Sequence, residues 1–453
     1  MPEHLDLVVV NGTLVTSAGR QQVDVAIRDG RIQALGERHE FDPQAGQLLD
    51  AGGLFVLPGP IDGHVHFREP GLEGSETWLT GSRAAVHGGI TTVLEMPNTL
   101  PPTRTPASAQ EKLALADRSS YCDFGIFGLV DREGSAGAQS LIGSELVVGL
   151  KVFLGPSTGD LVAPADDELV RVLRLAARAG LRTAFHAEDA AILAREAIHL
   201  RGRSDALAHL EARPAEAEER AIDHACRLLA RADAPGHILH LSSAEGVRAV
   251  RRWRASGLDL TCEVTPHHLL LGRHDYDRLG GRMKVNPPVR GEHHTDALLE
   301  ALADGTIDCV ASDHAPHPPA AKLAEDIREV ESGVAGVETL LPLMLTLVDA
   351  GRFSLERMVS LTAEGPARVW GLGPAKGSLT PGADADLVLV DKAREGVIRG
   401  DELHGMHPLT PFEGRITHGR VVATVVRGRP VVREGVSLVE PGWGAVIRSP
   451  GTR

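Results

Sequence analysis

The chain reads as an α/β protein, a (β/α)8 barrel of the TIM type carrying a small β-sandwich built from both chain termini. Three observations lead there. Eight short apolar runs alternate with Ala- and Arg-rich segments through the middle of the chain. Both ends instead carry period-2 apolar runs punctuated by turn residues. The polar residues able to do chemistry fall at or just after the middle runs, which on this fold are the C-terminal ends of strands, where its sites lie. With 453 residues the chain exceeds most single domains, so 1–57 and 371–453 are expected to form the sandwich and 58–370 the barrel.

At the N-terminus, VVVNGTLV with Asn11-Gly12 and VAIRDGRIQAL with Asp29-Gly30 predict two hairpins. At the C-terminus, ADLVLVD and ITHGRVVATVVRGRPVV predict further strands, with turns at Gly419 and Gly428. Between the ends, the expected barrel strands are VLPGPIDGHVHF, TTVLEMP, CDFGIFGLV, GLKVFL, RTAFHAE, HILHLS, LDLTCEVTPH and IDCVASDHAP. Segments such as RAAVHGG, DDELVRVLRLAARAG, AEAEERAIDHACRLLARA and AEGVRAVRRWRASG have helical composition and often end at Gly.

Composition narrows the partners. Hydrophobic content of 42% and charged content of 24% are ordinary for a globular enzyme. Lys and Arg total 47 against 61 Asp and Glu, and the net charge of -14 repels phosphate backbones and anionic lipid. Neither nucleic acid nor a membrane is an expected partner, and any anionic substrate must be held by a few local cations. No secretory n-region and no apolar run of membrane-span length is visible, which makes the cytoplasm the expected location. Cys122, Cys226, Cys262 and Cys309 are widely spaced without a C-x-x-C pair, which argues against a disulfide framework and a thiolate zinc site, and three of them sit in apolar strand-like runs and read as packing residues.

The run GPIDGHVHFREPG places His64, His66 and Arg68 two apart, hence on one face of a strand. Paired imidazoles suit Zn²⁺ or a similar borderline metal. His186 in AFHAED, His240 in ILHLSS and Asp313 in ASDHAPH fall at other strand ends, together with Asn98, Lys151 and His267. Four imidazoles and a carboxylate gathered at one barrel mouth have no purpose without a cation. Lys151, ending an apolar strand, would as an ammonium be repelled by a metal. Burial that lowers its pKa would free the amine to react with CO₂, and the carbamate offers two oxygens to a pair of metals.

HVHFREPG, EMPNTLPP, GLKVFLGPSTG, FHAED, HLSSAEGV, EVTPHHL, KVNPPVR, ASDHAPH, SGVAGVETLLPLML and TPFEG, in this order, resemble the cyclic amidohydrolases of the amidohydrolase superfamily, and among them most the dihydroorotases. The resemblance implies two Zn²⁺ per subunit. His64, His66 and Asp313 would hold one and His186 and His240 the other, with N-carboxylated Lys151 bridging both. It implies Asp313 as the catalytic acid and base, and Arg68, Asn98, Asn286 and His317 as the substrate-binding set. The implied reaction is the reversible closure of N-carbamoyl-L-aspartate to L-dihydroorotate in pyrimidine synthesis. Allantoinases and dihydropyrimidinase-like hydantoinases are the sister alternative, and a metal-free assembly partner of aspartate transcarbamoylase is an alternative of another class. A homo-oligomer, dimer or tetramer, is expected, with partnership with aspartate transcarbamoylase left open. The segment 318–331 matches nothing in the family pattern.

Overall fold

A computed structural model of the protein describes residues 4–157, 161–407 and 409–448, so Thr158 and Gly159 of the GLKVFLGPSTG run lie outside the described residues. Eight parallel strands form the barrel: β1 (Ile61–Val65), β2 (Thr92–Glu95), β3 (Asp123–Leu129), β4 (Gly149–Phe153), β5 (Thr183–His186), β6 (Gly236–Ile238), β7 (Leu260–Val264) and β8 (Cys309–Val310). Each pairs with the next in chain order. β1 meets the β8 end through a Val65–His314 bridge, where the His66 amide donates to the His314 carbonyl at 2.8 Å and the Ser312 amide to Asp62 Oδ1 at 3.0 Å. These strands are buried on both faces, between the barrel interior and the helices, which is why their sequences are apolar runs rather than alternations.

The outlined helical segments are helices, Asp166–Arg178, Ala215–Ala232 and Ala244–Ala255 starting where the composition placed them and Trp78–His87 starting five residues before RAAVHGG. Trp78–His87 starts at Thr77, whose side chain accepts from the Thr80 amide. Ala244–Ala255 starts at Ser243, which accepts from the Gly246 amide. Asp166–Arg178 and Ala215–Ala232 bury Leu169, Leu173, Ile222 and Leu229 in the core around the barrel. All four cysteines are buried and free, and among the described residues no helix is long and apolar enough to cross a membrane.

Both termini contribute to one seven-stranded sheet. Gly19–Gln21, Thr13–Thr16 and Phe55–Pro58 continue into Leu387–Val397, Ile416–Val426, Arg429–Arg433 and Val436–Ser437. A four-stranded sheet of Arg31–Gly36, Asp24–Arg28, Leu7–Val10 and Leu48–Asp50 faces it. Leu7, Val25, Ile27 and Leu49 pack there with Leu14, Val56, Leu387, Leu389 and Val425 in one core.

Two turn expectations need correction. Asp29-Gly30 does close a hairpin, but the strands flanking Asn11-Gly12 do not pair: Leu7–Val10 lies in the smaller sheet and Thr13–Thr16 in the larger. The dipeptide is a crossover. Asn11 takes φ 64 and ties to Asp50 at 2.9 Å, while a side chain on Gly12 would stand 2.5 Å from Val56. Gly428 turns the chain between Ile416–Val426 and Arg429–Arg433. Gly419, expected as a turn, lies inside the strand Ile416–Val426, next to the register shift opposite Asp391 and Glu395. Its φ of 98 lets the strand pass over Leu345 of the helix Leu340–Asp349.

Candidate active site

One pocket at the C-terminal mouth of the barrel is lined by His64, His66, Arg68, Asn98, Lys151, His186, His240, Asn286 and Asp313, with Ser332 and Gly333 closing one wall. Of the residues singled out from the sequence, His267, which is buried, and His317 do not line it. His317 sits behind the wall, with Nε2 donating to the Ser332 carbonyl at 3.1 Å.

Three of the four imidazoles are oriented from behind. His64 Nδ1 faces Glu263 Oε1 at 2.7 Å, His66 Nδ1 faces Asn98 Oδ1 at 2.8 Å, and His186 Nε2 faces Glu188 Oε2 at 3.0 Å. Each of these oxygens accepts, so each ring carries its proton on that side and turns a lone pair to the pocket. There His64 Nε2 and His66 Nε2 lie 3.2 Å apart, with Asp313 Oδ1 at 3.2 and 3.1 Å from them. His186 Nδ1 and His240 Nε2 face each other at 2.9 Å. The lone pairs of His64 and His66 and the Asp313 carboxylate repel unless a cation or a proton sits among them, and these three could hold a metal ion.

Burial makes these groups good ligands. It pushes the His66 imidazole down to about 3 and His186 and His240 below the ordinary value, so protons do not compete for them near neutrality. For Asp313, burial works toward a higher pKa, but His64 and the His66 hydrogen bond outweigh it and hold the carboxyl well below the usual range. Lys151 is 1% exposed. Burial brings its amine down to about 7, against the raising influence of Asp313 and Glu263. Among the described residues it has no carboxylate within ion-pair distance, and its Nζ stands 4.6 Å from the centre of the Phe153 ring.

Arg68, His240 and Asp313 take φ of 64, 37 and 48, backbone conformations that cost free energy and cluster where a side chain must be aimed. Arg68 is held by Glu95, whose Oε1 accepts from the Phe67 and Arg68 amides at 3.1 and 3.3 Å and whose Oε2 pairs with buried Lys112 at 2.9 Å. Among the described residues the guanidinium Nε and Nη1 are buried without a hydrogen-bond partner, and so is Asn286 Oδ1. A buried fork of free donors and a nearby free acceptor describe a ligand carrying an anionic group and an N–H.

Glu263, Glu188 and Glu95 were missed in the sequence. Their signal was a lone carboxylate in an otherwise apolar run, as in LTCEV and TVLE, or two residues beyond a His, as in FHAED. Glu263 also bonds His237 Nε2 at 3.1 Å through its other oxygen. Glu263→Gln must present an amide N–H to one of the two rings, so metal affinity, read by equilibrium dialysis, is expected to fall about 10- to 100-fold. Unchanged affinity would mean that Glu263 does not orient His64.

A lone-pair set of this kind at the mouth of a (β/α)8 barrel is equipment for hydrolysis by a polarised water, and the protein is a hydrolase. A family model described as "Amidohydrolase family" matches residues 55–431, and the chain belongs to that family. It is 44% identical over 417 residues to the dihydroorotase of Halobacterium salinarum, covering 90% of this chain and 95% of that protein. It is 39% identical over 449 residues to the allantoinase of Rubrobacter xylanophilus, covering 98% and 97%. Among solved structures, the L-hydantoinase (dihydropyrimidinase) of Arthrobacter aurescens matches with a TM-score of 0.94 and 34% identity over 98% of this chain and 100% of that one.

Proposed function

We propose that the protein is a dihydroorotase, interconverting N-carbamoyl-L-aspartate and L-dihydroorotate in pyrimidine biosynthesis. The observation that carries this reading is Arg68 in the pocket wall, with two buried donors that have no hydrogen-bond partner among the described residues. A neutral ring offers such a guanidinium no carboxylate to clamp, whereas the ring carboxylate of dihydroorotate matches its planar fork.

The donor set fits a pair of zinc ions. His64, His66 and Asp313 would hold one, His186 and His240 the other, and Lys151 as a carbamate would lie between them. When bound, the metals supply Lewis acidity, lowering the pKa of water and polarising the amide carbonyl. The chain's own residues do the rest. Arg68 fixes the carboxylate and Asn286 Oδ1 accepts from a ring N–H. Asn98 holds His66 through its carbonyl, leaving its amide N–H groups to the substrate. In ring opening, Asp313 takes the proton of the attacking water as the C–O bond forms and passes it to the ring nitrogen as the C–N bond breaks. In closure the same proton moves backward and water leaves.

Closure converts a dianion to a monoanion with uptake of one proton, so mildly acidic conditions favour it. Metal-loaded protein incubated with carbamoyl aspartate at such a pH should accumulate the ring, and no closure would overturn the reading. The second reading, an allantoinase or hydantoinase, is favoured by the Rubrobacter allantoinase and the L-hydantoinase structure, and turnover of a neutral ring alone would support it. For Lys151, intact protein prepared in bicarbonate should carry the added mass of one CO₂ at this residue. Lys151→Met should lack that mass and lose most of its bound metal, while an unmodified lysine in fully metal-loaded protein would contradict the carbamate.

A further inference from the structure

The segment 318–331, which no motif explains, leaves the barrel mouth just after His317 and returns at Ser332 and Gly333, the two residues that close the pocket wall. Two buried lysines stitch it down. Lys322, 4% exposed, donates through Nζ to the carbonyls of Lys284 at 3.1 Å and Glu331 at 2.8 Å. Lys284, 8% exposed, donates to the carbonyls of Ile327 at 2.7 Å and Val330. Among the described residues neither amine has a carboxylate within ion-pair distance, so both Nζ groups are satisfied by backbone oxygens alone. That is a costly arrangement unless it fixes something.

What it fixes is adjacent to the substrate pocket. The Lys284 carbonyl accepts from Lys322 and also from the Gly333 amide at 2.9 Å. Two residues beyond Lys284 the chain reaches Asn286. Gly333 has φ 141, and a side chain there would stand 2.2 Å from the Ala315 carbonyl, so the wall tolerates no substituent and little displacement. The Ser332 carbonyl is held from the other side by His317.

We infer that the Lys284–Lys322 pair is a positioning device that sets the pocket wall at Ser332 and Gly333 relative to Asn286, and so determines how tightly the cyclic substrate is bound. The inference rests on the proposed reading only in needing a cyclic amide as substrate. It concerns binding rather than bond breaking, because neither lysine reaches the residues that handle the proton or the metal.

The test is Lys322→Met and Lys284→Met in the full-length, metal-loaded protein, assayed with whichever cyclic amide the wild type turns over. A wild type inert toward dihydroorotate would count against the dihydroorotase reading and leave this test standing with another ring. The expected result is KM raised about ten-fold or more with kcat within about two-fold, as loss of ground-state and transition-state binding together requires. Metal content should be unchanged, and hydrogen exchange should be faster at the Glu331 and Gly333 amides. If a Met variant does not fold, Lys322→Gln, which keeps two N–H donors on a shorter arm, should give a smaller rise in KM. An unchanged KM in the folded variants, or a fall in kcat with KM intact, would overturn the proposal.

Discussion

Asp313→Asn is expected to cut turnover roughly 10²-fold or more in both directions, the usual loss when a positioned acid–base group is removed. An amide can still offer an oxygen to the metal that His64 and His66 would share, so metal content should stay largely intact. It cannot take a proton from water and hand it to the ring nitrogen. The position makes the residue hard to replace. Asp313 is turned toward the histidines by a backbone with φ 48, and its Oδ1 lies 3.2 and 3.1 Å from His64 and His66. Steady-state rates and metal analysis on the same preparation check this. Near-normal turnover with full metal would assign the proton transfer to another group.

The second large effect is expected at Arg68, and it depends on the substrate. Arg68→Lys keeps the charge but loses the planar fork, and Arg68→Met loses both. Turnover of dihydroorotate should therefore fall in the order Arg, Lys, Met. Breaking a buried charge-assisted pair costs on the order of 2 to 5 kcal/mol, so the Met variant should lose about 30-fold or more in kcat/KM. A neutral ring such as dihydrouracil, if turned over, makes no such pair and should be nearly unaffected. Equal losses on charged and neutral rings would make Arg68 a structural residue.

The barrel was legible in the sequence because strands buried on both faces leave unmistakable apolar runs, and a His, Lys or Asp that ends such a run stands out. That is how His64, His66, Lys151, His186, His240 and Asp313 could be chosen, and the structure gathers them at one mouth. Pairing partners were less legible. Asn11-Gly12 has the chemistry of a tight turn, but that chemistry sets only the local φ and not whether the flanking strands meet, so a crossover between two sheets looks like a hairpin. The groups behind the ligands were harder still. Glu263 acts through its distance to His64 across the barrel, 2.7 Å in space and 199 positions along the chain, and no local pattern encodes that. Lys284 and Lys322 likewise look like ordinary surface lysines until the carbonyls they reach are known.

The central claim, that this family member selects an anionic ring, is tested most directly by kcat/KM of the wild-type, zinc-loaded protein for dihydroorotate, allantoin and dihydrouracil side by side. The free guanidinium donors of Arg68 predict that dihydroorotate is turned over far better than either neutral ring. Preference for allantoin or dihydrouracil, with dihydroorotate untouched, would contradict it.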